Sequence, residues 1–318
     1  MDLQLIIENL TNPALLFFAL GILSVQLKSD LQIPESSSKF ISLYLLFSIG
    51  FKGGQELSHA AFTSEMFFMI LFGVSTAILV PIYSFFILKR KLGVENAGAI
   101  AAAYGSISAV TFITCIAFLE LQSIQFGGYM IATMALMEAP AIIVGVFLIN
   151  LFQKNKKVDY RSVFKHALTN GSVVMILGSL VIGYFASAEQ AAGIAPFTTD
   201  LFKGFLAIFL LDMGIVSGRK LSAFYKNGSF TMLFALLLPL FNGVVVAILS
   251  GFFSESVGDR LLLSILAASA SYIAVPAAMK IAVPRANPGL YIPMALAVTF
   301  PINITIGMPI YIQIVQWF

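Results

Sequence analysis

Long runs of apolar residues, separated by short polar stretches, recur along the whole chain. Ten such segments stand out, with approximate limits 13–27, 39–51, 62–88, 96–119, 126–152, 172–187, 199–216, 229–252, 260–282 and 289–316. Most of them approach the length of about 20 residues that an α-helix needs to cross a bilayer. The pattern therefore predicts an all-α integral membrane protein with about ten transmembrane helices.

The composition excludes a soluble globular protein. Apolar residues make up 59% of the 318 residues, charged residues only 10%, and the mean hydropathy is +0.96. A soluble domain of this length cannot enclose so much hydrocarbon, so the solvent must be lipid. The sequence has no His-Glu-x-x-His, no phosphate-binding Gly-Lys-Ser/Thr loop and a single cysteine. We expect neither an enzyme nor a resident cofactor, and no nucleic-acid partner.

The basic residues predict the orientation in the membrane. If the N-terminus lies outside, the inward loops and span ends carry 15 of the 18 Lys and Arg residues. Only Lys52, Lys203 and Arg260 fall elsewhere. Because inward loops of membrane proteins are enriched in Lys and Arg, this distribution fits ten spans with both termini outside.

The two halves of the chain carry related sequences. Residues 49–57 match 213–221 with the same spacing of Gly, Gly and Leu, while 106–111 match 271–276 and 139–142 match 300–303. Each half holds five spans, so the second copy must be inverted in the bilayer, as in many transporters. We predict a five-plus-five inverted repeat: residues 1–152 form the first repeat, 153–171 a basic cytoplasmic linker, and 172–318 the second repeat.

Matched polar clusters lie inside the fourth and ninth spans, at residues 104–111 and 269–276. Both combine hydroxyls and small residues with a helix-disturbing Gly or Pro. If each marks a broken helix near the midplane, the N–H groups of the following half-helices point at a common anion site. Alternatively, the hydroxyls bond to their own helices and the small residues serve packing. The matched placement favours substrate binding by Ser106, Ser108, Thr111, Ser269 and Ser271.

Glu138 lies deep in the fifth span and has no basic residue near it in sequence. A carboxylate at that depth costs several kcal/mol unless it pairs, binds a cation or takes up a proton. Pro140 frees backbone carbonyls within one turn, which suits a sodium site built from oxygen ligands. We expect Glu138 to hold the coupling ion, with sodium as the candidate metal. The alternative is a protonated Glu138 hydrogen-bonded between helices.

Three further residues are candidates for the coupling-ion site. Thr299 and Asn303 lie in the tenth span and are the repeat mates of the Glu138 region. Asp212 lies in the seventh span beside the repeated Gly motif. Pairing of Asp212 with Lys203 or Lys52 across the bundle would explain it without a function.

Several motifs resemble the sodium-dependent bicarbonate transporter family of cyanobacteria and many other bacteria. The most specific is Val-Pro-Arg-Ala-Asn-Pro at 283–288, which is similar to the family's Ile-Pro-x-Ala-Asn-Pro before the last span. Ile-Pro-Glu at 33–35, Leu-Glu at 119–120 and Met-Glu-Ala-Pro-Ala at 137–141 are also family-like. The resemblance covers nearly the whole length of the chain.

The resemblance implies ten spans in two inverted repeats, assembled as a homotrimer in the bacterial cytoplasmic (inner) membrane. It implies inward transport of bicarbonate with sodium, by an elevator-like movement of one helix group against another. A PII-like regulatory protein binds the cytoplasmic face of some members. The chain departs from the family at the site, where Val110 replaces a hydroxyl, Glu138 an Asp, and Tyr272 an acid. Tyr272 fills the place of that acid among the substrate-binding candidates.

The sequence thus predicts a secondary active transporter of a small anion, with bicarbonate the leading substrate and sodium the leading coupling ion. Two alternatives stay open. One is a proton-coupled permease for another small carboxylate, working through Glu138. The other is a non-transporting membrane sensor on the same fold.

Overall fold

The computed structural model describes residues 11–153, 160–224 and 228–318, and all regular structure within them is helical. In chain order the helices are α1 (Pro13–Gln26), α2 (Glu35–His59), α3 (Ser64–Gly105), α4 (Ala109–Leu121), α5 (Tyr129–Phe152), α6 (Tyr160–Leu168), α7 (Gly171–Phe185), α8 (Ala188–Ala195), α9 (Phe202–Phe224), α10 (Ser229–Leu249), α11 (Val257–Ala267), α12 (Ala274–Ala282) and α13 (Pro288–Trp317). The all-α prediction is confirmed for the described residues.

Five helical segments in the described part of the chain are long and apolar enough to cross a membrane. They are Ser64–Leu121, Tyr129–Phe152, Ala188–Leu221, Ser229–Phe252 and Pro288–Trp317. The shorter helices α1 and α7 are also apolar. These lengths and this composition are those of a multi-pass membrane protein.

The helices coincide with the ten apolar segments but differ from them at several ends. α2 is longer than the segment 39–51, because its polar ends also adopt helical structure. The third and fourth segments meet within α3, which bends at Gly93 with φ 77°, a conformation that glycine adopts without steric cost. The predicted linker contains the short helix α6, while residues 154–159 lie outside the described part.

Four helices, α1, α2, α7 and α9, pack together, and we call them the four-helix group. α1 contacts α9 through Gly21 and Gly214, and a Cβ on Gly21 would lie only 2.2 Å from the carbonyl oxygen of Leu211. α2 contacts α7 equally closely, since a Cβ on Gly54 would lie 2.1 Å from the carbonyl oxygen of Leu180. Small residues permit such backbone contact between membrane helices.

The Gly pairs of the repeated motif occupy matching places in this group. Gly50 and Gly54 both face α7, while Gly214 and Gly218 both face α1. Two glycines four residues apart lie on one face of a helix. The motif that links the two halves in sequence thus makes the same kind of helix contact in each half.

A second body, which we call the crossed-helix group, consists of α3, α4, α5, α10, α11, α12 and α13. α3 packs along α5 through Gly98 and Gly145, and a Cβ on Gly145 would lie 2.6 Å from the Cβ of Ala102. In the second half of the chain, α10 packs against both α11 and α13. Two interruptions, at 106–108 and 268–273, face each other inside this group.

Candidate functional site

The first helix break separates α3 from α4. α3 ends at Gly105, where a Cβ would lie 2.2 Å from the Cγ of Pro81, so no larger residue fits. The chain is extended at Ser106 (φ −85°, ψ −179°) and at Ser108 (φ −110°, ψ 108°). The Ser108 hydroxyl then accepts a 3.2 Å hydrogen bond from the N–H of Thr111 and caps α4.

The second break separates α11 from α12 and uses similar local chemistry. α11 ends at Ala267 and α12 begins at Ala274. The Ser271 hydroxyl accepts a 3.3 Å hydrogen bond from the N–H of Val275 in the first turn of α12. Pro276 also lies in that first turn, where its missing N–H leaves no helical bond unmade. The breaks predicted in the fourth and ninth spans are therefore both present.

The two breaks are joined by reciprocal hydrogen bonds. The N–H of Ser108 donates to the hydroxyl of Ser269 at 2.9 Å, and the N–H of Ser271 donates to the carbonyl of Ala103 at 2.8 Å. The Ser269 hydroxyl also donates to the carbonyl of Leu266 at 2.8 Å. Since its one donor is in use and it accepts a bond from the other break, Ser269 links the two breaks structurally.

A small cavity lies where the starts of α4 and α12 meet. Its polar lining comprises Ser108, Ser271, Tyr272, Glu138 and Ser172. The volume is about 20 Å³, which is room for about one water molecule. The structure thus brings together four of the predicted site residues, from the first break, α5 and the second break.

Glu138 is the acidic residue of this cavity. Its side chain is only 5% exposed, and its Oε1 atom has no hydrogen-bond partner among the described residues. None of the described residues that line the cavity is Lys, Arg or His. The starts of α4 and α12 are the positive ends of their helix dipoles, and each favours a nearby negative charge by about 0.3–1 kcal/mol. That gain is smaller than the several kcal/mol that a buried carboxylate costs, so a bound cation or proton is needed.

Three of the predicted substrate ligands lie outside the lining of this cavity: Ser269, which joins the two breaks, and also Ser106 and Thr111. Ser106 is 1% exposed, and its hydroxyl is a buried group without a hydrogen-bond partner in the described structure. Thr111 is also 1% exposed, and its N–H takes part in the cap of α4. Ser106 thus ends α3 and Thr111 lies in the first turn of α4, but neither lines the cavity.

Thr299 and Asn303 support the crossed helices and do not line the cavity of Glu138. The Asn303 amide donates to the carbonyl of Ala268 at 2.6 Å and so bonds the end of α11. The Thr299 hydroxyl donates to the carbonyl of Ala235 at 2.8 Å and lies 2.8 Å from the hydroxyl of Tyr104. Thr299 and Asn303, which were predicted as repeat mates of the Glu138 region, therefore do not share a cavity with Glu138.

A large cavity of about 790 Å³ leads from the surface to the second break. Its rim carries the exposed residues Lys39 and Arg219, at the beginning of α2 and near the end of α9. At its inner end Ser172, Tyr272 and Ile273 also line the small cavity. The small cavity thus adjoins the large one at Tyr272, next to an open path from one face of the protein.

Asp212 lines the large cavity and is not part of the small one. Its carboxylate accepts a hydrogen bond from the hydroxyl of Ser38 on α2. The predicted alternative partner Lys52 does not pair with Asp212. It forms an ion pair with Glu120, in which Nζ lies 3.2 Å from Oε1. That pair joins α2 to α4 at a second cavity of about 320 Å³.

Several polar residues of the structure were not predictable as site residues. Ser172 lies in the first turn of α7, where its N–H donates to the side chain of the capping residue Asn170, and Ser38 lies in a serine run at the start of α2. The buried Arg260 donates to the carbonyls of Val315 and Ala247, both at 3.0 Å. Of these, only Arg260 carried a sequence signal, since it is a charged residue at the edge of an apolar span.

The chain was compared with known families and with curated proteins. A family model described as the Na⁺-dependent bicarbonate transporter superfamily matches residues 13–316, nearly the whole chain. No curated protein sequence matched this chain.

Proposed function

The chain belongs to the Na⁺-dependent bicarbonate transporter superfamily, and on this premise we propose that it is a secondary active transporter that carries bicarbonate inward together with sodium. One observation supports this most directly. Two helix N-termini, one from each half of the chain, meet at a cavity that also holds the carboxylate of Glu138, whose Oε1 atom has no hydrogen-bond partner among the described residues. Opposed half-helices near the midplane are the usual ion-binding arrangement of secondary transporters.

The proposed architecture is ten transmembrane helices in a five-plus-five inverted repeat. In its support, Gly50 and Gly54 pack α2 onto α7, the first helix of the second half. Gly214 and Gly218 pack α9 onto α1, the first helix of the first half. Exchange of the two halves turns one contact into the other, as expected for repeats related by a two-fold axis in the membrane plane.

The proposed anion ligands are the N–H groups at the starts of α4 and α12 and the hydroxyls of Ser108, Ser271 and Tyr272. Backbone N–H groups at a helix N-terminus bind an anion without help from Arg or Lys. A cavity of about 20 Å³ is too small for bicarbonate, which has four heavy atoms. Tyr272 lines both this cavity and the large one, so its movement is the proposed step that admits the anion.

The proposed sodium ligands are the Glu138 carboxylate and the neighbouring hydroxyl oxygens, because sodium is a hard cation that prefers oxygen. A second candidate is proton coupling by the same residue. It is favoured by the fact that Glu138 is the one carboxylate among the described residues of the small cavity. A single carboxylate suffices for a proton, whereas sodium needs several oxygen ligands.

The large cavity supports an inward-facing state. Its rim includes Lys39 and Arg219, which the positive-inside rule assigns to the cytoplasm. We propose a bacterial cytoplasmic (inner) membrane location with both termini outside. In that orientation the path to Tyr272 is open from the cytoplasm, which is where an inward transporter releases its substrate.

Uptake of labelled bicarbonate into proteoliposomes tests the function. At fixed pH, an inward sodium gradient is expected to drive accumulation, and replacement of sodium by choline is expected to abolish it. Vesicles without protein and vesicles with a dissipated sodium gradient are the controls. Accumulation driven by a proton gradient in the absence of sodium would favour the second candidate. Absence of both, in tight vesicles, would contradict transport of bicarbonate.

A further inference from the structure

The carboxylate of Glu138 and the proposed anion ligands share one cavity. The hydroxyls of Ser108, Ser271 and Tyr272 line it together with Glu138. The same two helix N-termini that would attract a transported anion also face the carboxylate of the protein. When ionised, Glu138 is thus a tethered anion at the site where a free anion would bind.

This internal anion has no other partner in the described structure. Glu138 is 5% exposed, its Oε1 makes no hydrogen bond, and no described lining residue carries a positive charge. The cavity of about 20 Å³ has room for about one water molecule, so little water is available there to screen the charge. A second anion in this space meets the full charge of the carboxylate.

The repulsion between two such anions is large compared with ordinary ligand affinities. Two like charges about 4 Å apart, at the effective dielectric constant of about 20 that suits protein sites, weaken binding by about a thousand-fold. A sodium ion on the carboxylate cancels most of this repulsion. It also leaves the two helix N-termini free to interact with the incoming anion.

We infer that Glu138 excludes bicarbonate from the cavity until sodium has neutralised its carboxylate, so that sodium binds before bicarbonate. This inference rests on the proposed function and adds the order of binding to it. The order prevents bicarbonate from being carried without sodium. With a neutral residue at position 138, bicarbonate binding is therefore expected to become independent of sodium and not to be lost.

Bicarbonate binding to the purified full-length chain in nanodiscs, measured by titration calorimetry at one fixed pH with sodium or choline, tests this inference. Wild-type protein is expected to bind bicarbonate at least tenfold more tightly in sodium. Glu138→Gln is expected to bind equally in both salts, with an affinity within about tenfold of the wild type in sodium. Glu138→Asp keeps the charge and should keep the sodium dependence. Glu95→Gln, the same change outside the cavity, should behave as wild type.

The outcomes separate the order of binding from the function itself. Wild-type affinity that is equal in sodium and choline overturns the inference and leaves bicarbonate as the substrate. A folded Glu138→Gln protein that loses bicarbonate binding in both salts also overturns it, because the carboxylate would then support anion binding. Absence of wild-type binding in sodium contradicts the proposed substrate, and the inference falls with it.

Discussion

Two glycines of α7 provide a matched test of the contact between α2 and α7. Gly183 faces α2, and a Cβ placed there would lie 2.1 Å from the carbonyl oxygen of Phe51 and 3.0 Å from its Cα. Because these are backbone atoms, the two helices must move apart to admit a methyl group. Gly178 lies on the same helix, and a Cβ there meets nothing within 4 Å. Both positions are helical, so the change to Ala differs only in packing.

The expected effects have opposite signs. Ala is favoured over Gly in a helix by about 0.8–1 kcal/mol, so Gly178→Ala should raise stability by up to that amount. Gly183→Ala gains the same helix propensity but overpacks the contact, which typically costs about 1–3 kcal/mol. We therefore expect Gly183→Ala to be the less stable variant by about 1–3 kcal/mol, which corresponds to a fall of several degrees in Tm.

Thermal unfolding of the detergent-solubilised protein measures this difference. Cys115 is the one cysteine of the chain and is buried, so a thiol-reactive dye that fluoresces on reaction reports its exposure on unfolding. The dye should label Gly183→Ala at a lower temperature than Gly178→Ala. Equal midpoints for the two variants would refute the close contact between α2 and α7 at this level.

Three further predictions concern contacts away from the small cavity. Arg260→Lys should lower Tm, because the single ammonium of Lys cannot donate to both of the carbonyls that the guanidinium bonds. Each carbonyl left without a partner costs about 1–3 kcal/mol, and an unchanged Tm would contradict this prediction. Lys52→Gln should change stability by less than about 1 kcal/mol, since the ion pair with Glu120 is partly exposed, and a larger fall measured by the same dye would show otherwise. Thr299→Val should destabilise by about 1 kcal/mol through its lost bonds to Ala235 and Tyr104. Bicarbonate uptake by that variant should stay sodium-dependent. Loss of the sodium dependence would indicate that Thr299 is a ligand of the coupling ion.

The sequence predicted the helix breaks because their causes are local. Hydroxyls that cap helices, a glycine that admits a close neighbour and a proline in a first turn all act within a few residues. Glu138 was predictable for a similar reason, since a charge inside an apolar span requires a partner wherever the span lies. These features need no knowledge of which helices are neighbours.

Side-chain direction and long-range partners were not predictable in the same way. The helix that contains Thr299 and Asn303 includes two π-helical stretches, Met294–Thr299 and Asn303–Gly307. Each π-turn adds a residue and rotates the faces that follow, so aligned positions in the two halves point differently. The bond of Asp212 to Ser38 joins residues 174 positions apart, and no local pattern specifies it. The homotrimer and the PII-like partner stay predictions.

The pairing of α1 with α9 has a consequence for the synthesis of the protein. The glycine face of α1 packs on a helix that is made late, because Leu211 follows Gly21 by 190 residues. At about 5–20 residues per second, translation leaves α1 in the lipid for about 10–40 s before its neighbour emerges. Throughout that time its small-residue face is covered only by lipid or by an insertion factor. Assembly of this protein must therefore begin with the helices that are already complete, and the first helix is among the last to reach its final neighbour.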